Sequence, residues 1–236
     1  MATDIVIVSG TRTPIGTSYK GSLTGVDAFT LAERAIGSAI ERSGIPVSEI
    51  EDMGVGESYQ GGGNIGRNVA VRLGMNQVAS VAMQRWCASG MAGVQWVAAN
   101  IAAGMIDVGV GAGVESMSTA PGSSRPGPDG TPGFWLSPAN EPTESAPPLN
   151  MALTVGDNTA MLAGISREDA DAWAFESHRR AIQAIDEGRF DNEIVSLTLP
   201  DGTEFTTDEH PRRGGSLDLQ NMCQWTHGDI EVFQRK

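Results

Sequence analysis

The residue best suited to chemistry is Cys87, because of what precedes and follows it in the chain. The apolar run 78–83 predicts a buried strand, and the uncharged stretch 88–103 predicts a helix. Cys87 is therefore expected at a helix N-terminus, where unpaired N–H groups and a partial positive charge favour the nucleophilic thiolate. Ser89 and Gly90 are small, so the turn would stay open to a ligand. Two interpretations remain open at this point, a nucleophile or an inert buried cysteine.

Basic side chains supply weaker candidates. Arg212 and Arg213 form the compact basic spot of the second half of the chain. The pair predicts either a solvated turn or, because a guanidinium group matches the geometry of a phosphate, a phosphate-binding site. His178 lies beside two arginines on a predicted helix, and it is interpreted as a surface or packing residue rather than as a base.

Composition narrows the possible partners. The net charge of −13, from 29 acidic and 16 basic residues, repels nucleic acid and anionic membranes, so neither is predicted as a partner. No apolar run approaches the ~20 residues of a membrane span, and no signal-peptide pattern opens the chain, so a cytoplasmic protein is expected. Cys87 and Cys223 have neither Cys-x-x-Cys spacing nor a metal-ligand pattern, so no disulfide framework and no metal site are expected.

The elements that must position Cys87 alternate between strand and helix. One predicted helix begins after the capping residue Asp27 and stops at Gly44, and a second covers about 64–73. The helix at 88–103 carries no charge, so it is expected to be buried all round. Such alternation predicts an α/β fold with a mostly parallel sheet covered by helices. Its strands are predicted at 5–9, 53–56, 78–83 and 108–114.

A different pattern starts near residue 118. The stretch 118–150 is rich in Pro, Gly and Ser, which predicts a long loop or an inserted subdomain. A helix is predicted from the capping residue Ser166 to Gly188, with Trp173 in its buried stripe, and a hairpin is predicted around the Asp-Gly turn at 201–202. The predicted domains are an α/β core at 1–117, a loop subdomain at 118–213 and a tail at 214–236.

Several short motifs, in this order, resemble the thiolase family of acyl-CoA C-acyltransferases. The resemblance covers about residues 4–218, and it implies the fold of the N-terminal half of a thiolase, with a loop subdomain inserted. The motifs are Arg-Thr-Pro-Ile-Gly at 12–16, Arg-Trp-Cys-Ala-Ser-Gly at 85–90, Gly-Val-Glu-Ser-Met-Ser at 113–118 and Phe-Asp-Asn-Glu-Ile-Val at 190–195.

The resemblance also implies a reaction and a substrate. Cys87 would take an acyl group from acyl-CoA, and thiolysis or a Claisen condensation would follow in a ping-pong scheme. The loop subdomain at 118–213 would build the coenzyme A pocket, with Met151 and Arg212 near the nucleotide end. Coenzyme A thioesters would be substrates, and no resident cofactor or metal is implied. The family likeness further implies either a homo-oligomer or a C-terminal half as partner.

Some family motifs are missing from this sequence. The Asn-Glu-Ala-Phe, Gly-His-Pro and Cys-x-Gly-Gly segments of the second half of a thiolase do not occur, and Cys223 does not match the second catalytic cysteine. The C-terminal thiolase domain is therefore expected to be absent, and the chain to be incomplete and inactive alone. Two alternatives stay open: a non-catalytic thiolase-like protein that binds acyl-CoA or regulates a relative, and a truncation product without function.

Overall fold

The computed structural model describes residues 4–134 and 156–214. The chain divides into two compact units. The first comprises Met1–Ser124 and Arg189–His210, and the second comprises Arg125–Gly188 and Pro211–Lys236.

The first unit is built on a three-stranded parallel sheet with the order β2-β1-β3. β1 (Asp52–Gly56) lies between β2 (Ala79–Met83) and β3 (Gly109–Gly113). Its last residue, Gly56, is in register with Met83 and Gly113, so the three carboxyl ends lie at one edge. The predicted α/β fold and its parallel sheet are confirmed.

The helices of this unit begin and end where the capping residues predict. α1 (Ala28–Ser43) is capped by the Asp27 side chain, which accepts a hydrogen bond from the Thr30 N–H, and it stops at Gly44 in the left-handed region. α2 (Ile65–Arg72) follows, and a short 3-10 helix, Val47–Glu49, precedes β1. The core between α1, α2 and the sheet contains the fully buried side chains Met53, Val55, Ile65, Val69, Met75 and Val78.

α3 (Ser89–Ala102) lies directly on the sheet because glycines face it. A Cβ atom added to Gly111 of β3 would lie 2.6 Å from the Val94 Cα atom, closer than packed atoms come. The prediction that α3 is buried all round is wrong, because Met91 is 63% exposed and Val94, which also contacts Gly111, is 37% exposed. Part of the α3 surface is therefore uncovered by the described residues.

The prediction of a strand at 5–9 is also wrong for this chain. These residues form no strand, and all four side chains at 5–8 are exposed, up to 84% at Ile7. A strand needs a neighbour that takes up its backbone hydrogen bonds, and no strand in the described part of the chain pairs with this segment.

A hairpin from later in the chain also belongs to the first unit. β6 (Leu197–Thr198) and β7 (Glu204–Phe205) are antiparallel, as the Asp-Gly turn predicted. Leu197 is buried with Val26 and Leu31, beside α1. These contacts explain why Arg189–His210 groups with the first unit, although the sequence placed it in a 118–213 subdomain.

The second unit contains α4 (Gly156–Ala163) and α5 (Arg167–Asp186). The predicted capping box of Ser166 and Asp169 opens α5, but Trp173 is 72% exposed, so its predicted place in a buried stripe is wrong. Two short paired strands, β4 (Ser124–Pro126) and β5 (Pro132–Phe134), were not predicted in the Pro-rich stretch.

Among the described residues, no helix combines the length and the apolar character that a membrane span needs.

Candidate active site

The loops that follow the three parallel strands form the candidate site. Such loops meet at the carboxyl edge of a parallel sheet, which is where ligands bind in open α/β folds. The segments are 57–60 after β1, 84–88 after β2 and 114–118 after β3. Hydrogen bonds join all three.

Cys87 lies in the middle loop as a free, exposed thiol. It precedes Ala88, the N-cap residue of α3, so it lies at a helix N-terminus as predicted. Ala92 is the first residue of this helix whose N–H reaches a carbonyl four residues back, that of Ala88 at 2.9 Å. The Ala88 and Ser89 N–H groups donate to the Arg85 and Trp86 carbonyls, both at 3.0 Å, so the helix dipole and the remaining N–H groups of the first turn are what can stabilise negative charge beside the sulfur.

Ser89 holds this turn together. Its buried Oγ accepts a hydrogen bond from the Arg85 N–H at 2.8 Å and donates one to the Trp86 carbonyl at 2.6 Å. Trp86 has a φ of +49°, a left-handed conformation that a bulky residue rarely adopts. The side chain of Ser89 therefore stabilises a strained backbone immediately before the nucleophile.

Glu115 connects the loop after β3 with the loop after β1. Its carboxylate accepts hydrogen bonds from the Ser58 N–H at 3.0 Å and the Tyr59 N–H at 3.4 Å, and from the Gln60 side chain. The Tyr59 ring also contacts the Trp86 ring, with centroids 5.7 Å apart.

Ser58 completes the link to the nucleophile turn. Its Oγ lies 3.4 Å from the Trp86 carbonyl oxygen and 3.5 Å from Ser89 Oγ. Glu115, Ser58 and Ser89 thus form a continuous polar chain under the turn that carries Cys87. Within the described residues no group of three or more His, Cys, Asp or Glu side chains could hold a metal ion.

Glu57 is a buried carboxylate at the same edge of the sheet. Its Oε2 accepts a hydrogen bond from the Ile65 N–H, at the N-terminus of α2, at 2.9 Å. Its Oε1 is buried without a hydrogen-bond partner among the described residues. The helix N-terminus is a favourable place for this carboxylate, and it fixes α2 relative to the end of β1.

Arg12, from the first motif, is a structural clamp in this unit. Its guanidinium group makes a bidentate ion pair with Asp208, at 2.7 and 2.8 Å, and a further hydrogen bond with Glu193 at 2.7 Å. It also stacks over the Phe190 ring, 5.0 Å from the centroid. The hydrogen bond to Asp208 is the main reason that the pKa of Arg12 is raised.

Two carboxylates hold the loop after Arg12. Burial raises the pKa of Asp208, but the hydrogen bonds from Arg12 and from the Ile15 N–H outweigh it, so the pKa is lowered on balance. Glu209 accepts hydrogen bonds from the Thr17 N–H at 2.7 Å and the Ser22 N–H at 2.9 Å. Its pKa is also lowered, although burial alone would raise it. This network anchors the loop at 12–22.

The other predicted site residues are placed as follows. The Arg212 N–H donates to His178 Nδ1 at 3.2 Å within the second unit, and the Arg212 side chain is exposed. Arg213 pairs with Asp186 at 2.6 Å. Met151 and Cys223 lie outside the described residues. That Cys87, Met151 and Arg212 serve one site stays a prediction.

Sequence reasoning missed the polar side chains that support the turn. Ser89 was noted only for its small size, and Ser58, Tyr59 and Glu115 were not singled out as site residues. A signal was present, because polar residues directly after buried parallel strands lie at the edge where a site forms.

Known proteins match this arrangement. The family described as "Thiolase, N-terminal domain" matches residues 5–223. The chain is 33% identical over 214 residues to a 3-ketoacyl-CoA thiolase of Bacillus subtilis, covering 88% of this chain and 52% of that protein. It is 35% identical over 202 residues to the mitochondrial acetyl-CoA acetyltransferase of Rattus norvegicus, covering 83% and 47%. The chain thus spans about half the length of the curated relatives it matches.

Solved structures give the same result. An acetyl-CoA acetyltransferase from Syntrophomonas wolfei has a TM-score of 0.74 at 32% identity, over 92% of this chain and 56% of its own. The dimeric peroxisomal thiolase of Saccharomyces cerevisiae has a TM-score of 0.75 at 29% identity, over 92% and 56%. With the family match over nearly the whole length, these likenesses establish that the chain belongs to the thiolase family.

Proposed function

We propose that Cys87 is the acyl acceptor of a thiolase-type acyltransferase. The Cys87 sulfur attacks the carbonyl carbon of an acyl-CoA, the bond from that carbon to the coenzyme A sulfur breaks, and coenzyme A leaves as a thiolate that takes up a proton. In condensation the acyl group then passes to the α-carbon of a second thioester, which loses a proton. Thiolysis is the reverse: the Cys87 sulfur attacks the 3-keto carbon of a 3-ketoacyl-CoA, the bond from that carbon to the α-carbon breaks, the α-carbon takes up a proton and leaves as acetyl-CoA, and coenzyme A then takes the acyl group from Cys87. The observation that carries the proposal is the exposed Cys87 thiol at the N-terminus of α3.

The turn is suited to this step for two reasons. Helix N–H groups stabilise the negative charge that develops during acyl transfer, and a preorganised site spends no energy on reorienting them. The polar chain of Ser58, Ser89 and Glu115 keeps the backbone before the nucleophile in place. Both contributions come from residues of the first unit.

The base that assists Cys87 is proposed to come from the part of the thiolase fold that this chain does not span. Among the described residues of the first unit the histidine is His210, which is 3.5 Å from Thr17 Oγ1 and belongs to the loop network of Arg12. A positioned acid–base group contributes about 10²–10⁴-fold to rate. We therefore expect the chain alone to be inactive in turnover and to become active when the remaining half is supplied.

Coenzyme A is proposed as the substrate carrier, with Met151 and Arg212 near its nucleotide end. The Arg212 backbone is fixed by His178 and its side chain is exposed, which suits contact with a phosphate.

The test follows thiolysis of acetoacetyl-CoA by coenzyme A through the loss of thioester absorbance. The chain is assayed alone and after co-expression with the complementary half of the Bacillus subtilis thiolase, and acyl adducts are located by peptide mass spectrometry. We expect turnover only with the complement, an adduct on Cys87, and loss of both in Cys87→Ser.

Cys223→Ser is the matched control and should retain turnover and the adduct. An adduct on Cys223 alone, or turnover that survives Cys87→Ser, would disprove the assignment of Cys87. Turnover by the chain alone that is lost in Cys87→Ser would instead show that the base lies within this chain.

A further inference from the structure

We infer that the first unit has a second ligand site, in a cavity between α1 and the segment 191–206, and that this site takes a small phosphorylated sugar. The phosphate group binds at Arg34, and the hydroxyl groups of the sugar bind at Glu41 and Asp191. The inference does not rest on the proposed function, because none of the residues that line the cavity belongs to the loops of the candidate active site.

The cavity is large enough for a small molecule and is mostly polar. Its volume is about 480 Å³, within the ~300–1,000 Å³ of small-molecule sites. Its lining is charged or carries hydroxyl groups, except at Ile194 and Val195. Such a lining suits a charged, hydroxyl-rich ligand rather than an acyl chain.

The α1 side of the cavity is a row of polar residues at helical spacing. Arg34, Ser38 and Arg42 are four residues apart, so they lie along one face of the helix. The Arg34 Nε atom donates to the Ser196 carbonyl at 2.8 Å, and the Arg42 Nη1 atom donates to the Asn192 carbonyl at 2.6 Å. These bonds hold both guanidinium groups against the opposite side of the cavity, so the site is preorganised.

The positive charge of the two arginines is not neutralised by the protein. Among the described residues, neither Arg34 nor Arg42 forms a salt bridge, and neither side chain makes a further hydrogen bond. Both terminal nitrogen atoms of Arg34 can therefore donate to phosphate oxygen atoms, in the bidentate geometry that arginine favours.

Ser38 gives an independent indication of a ligand. It is only 7% exposed, and it lines the cavity between the two arginines. Its hydroxyl group has no hydrogen-bond partner in the part of the chain that the structure describes. A nearly buried hydroxyl group without a partner costs free energy. A phosphate oxygen held by Arg34, one helical turn away, would supply the acceptor.

Two carboxylates distinguish the other end of the cavity. Glu41 and Asp191 line it, and among the described residues neither side chain makes an ion pair or a hydrogen bond. Glu41 adjoins Arg42, and Asp191 adjoins Asn192, to which Arg42 donates, so the net charge of this end is negative. Carboxylates accept hydrogen bonds and repel anions. This end therefore suits sugar hydroxyl groups, and the Arg34 end suits the phosphate.

The experiment is isothermal titration calorimetry of the full chain with ribose 5-phosphate, inorganic phosphate and ribose. We expect ribose 5-phosphate to bind more tightly than phosphate, and ribose to give no measurable binding. Arg34→Gln should weaken binding of ribose 5-phosphate about tenfold or more, because it removes a charged hydrogen-bond donor. Ser38→Ala should weaken it about threefold, and this change favours the helix. Glu41→Gln should weaken binding of ribose 5-phosphate but not of inorganic phosphate.

Arg67→Gln is the matched control. The Arg67 guanidinium group is also held by backbone carbonyls, those of Asn76 and Val78, and it does not line the cavity. This variant should bind ribose 5-phosphate like the unmodified chain. An equal loss of binding in Arg67→Gln and Arg34→Gln would mean that the ligand responds to overall charge, and it would overturn the inference.

Four other results would also overturn it. They are an absence of ribose 5-phosphate binding, unchanged binding in Ser38→Ala, unchanged binding in a folded Arg34→Gln variant, and equal binding of phosphate and ribose 5-phosphate, which would indicate an adventitious anion only. Binding that is lost in Arg212→Gln and kept in Arg34→Gln would place the ligand in the proposed coenzyme A pocket instead. Because Arg34 also joins α1 to Ser196, Ser38→Ala decides the question if Arg34→Gln does not fold.

Discussion

Replacement of Ser89 by alanine tests whether the nucleophile turn depends on one hydroxyl group. The Ser89 Oγ accepts from the Arg85 N–H and donates to the Trp86 carbonyl. A typical intramolecular hydrogen bond contributes a net ~0.5–1.5 kcal/mol, so the two together contribute about 1–3 kcal/mol. The left-handed conformation of Trp86 costs about the same, ~1–3 kcal/mol. Without the hydroxyl, no hydrogen bonds offset the free-energy cost of the left-handed Trp86 backbone, so the turn should shift to conformations without that strain.

The expected results of Ser89→Ala are a lower Tm and slower alkylation of Cys87. A loss of about 1–3 kcal/mol corresponds to a fall in Tm of roughly 2–12 °C in a domain of this size. Alkylation should slow because the sulfur spends less time beside the N–H groups of α3. Thermal unfolding and iodoacetamide labelling with peptide mass spectrometry measure the two effects.

Ser80→Ala is the matched control, because it removes a hydroxyl group that has no hydrogen-bond partner among the described residues. A buried hydroxyl without a partner costs free energy, so this variant should be as stable as the original chain or more stable. If Ser89→Ala and Ser80→Ala give the same Tm and the same Cys87 labelling rate, the Ser89 hydroxyl group does not support the turn.

Three further predictions follow from the structure. Asp208→Asn should lower the free energy of unfolding by about 1–3 kcal/mol near neutral pH, because it breaks the charged hydrogen bonds to Arg12. Since the pKa of Asp208 is lowered on folding, its contribution is present above about pH 4 and is lost as the pH falls through the folded pKa, so urea unfolding should show the two proteins converging in acid. Cys87 should react with iodoacetamide faster than Cys223 near neutral pH, and faster labelling of Cys223 in the native protein would contradict the nucleophile assignment. The chain alone should self-associate or bind a dye that reports exposed apolar surface; a sharp, dye-free monomer in sedimentation would contradict this.

Local patterns in the sequence predicted the elements that carry the site. Alternating apolar runs and helix caps predicted β1, β2, β3 and α1 to within a residue or two, because strand burial and capping depend on neighbouring residues. The position of Cys87 before α3 followed from the same patterns. Short sequence patterns were sufficient for helices and strands whose formation depends mainly on neighbouring residues.

The contacts that shape the site were not predictable in this way. Glu115 and Ser58 are 57 positions apart, and Arg12 and Asp208 are 196 apart. Periodicity gives no information about which distant side chains meet. The rule that parallel strands end at one edge would have brought the loops after β1 and β3 together, but it would not have identified Arg12 as a clamp.

The strand predicted at 5–9 does not form, because no described strand pairs with it. This affects the stability of the chain rather than the turn that carries Cys87. Full burial of a valine or isoleucine side chain stabilises a protein by ~1.5–3 kcal/mol, so covering residues 5–8, which are now 42–84% exposed, would contribute roughly 4–8 kcal/mol. That is comparable with the whole stability of a domain, about 5–15 kcal/mol. The turn that carries Cys87, by contrast, has its supporting hydrogen bonds from Ser58, Ser89 and Glu115 within the first unit. A complementary half that covers residues 5–8 would therefore add stability, and it would separately supply the proposed base. Cys87→Ser should therefore abolish turnover and leave that added stability unchanged.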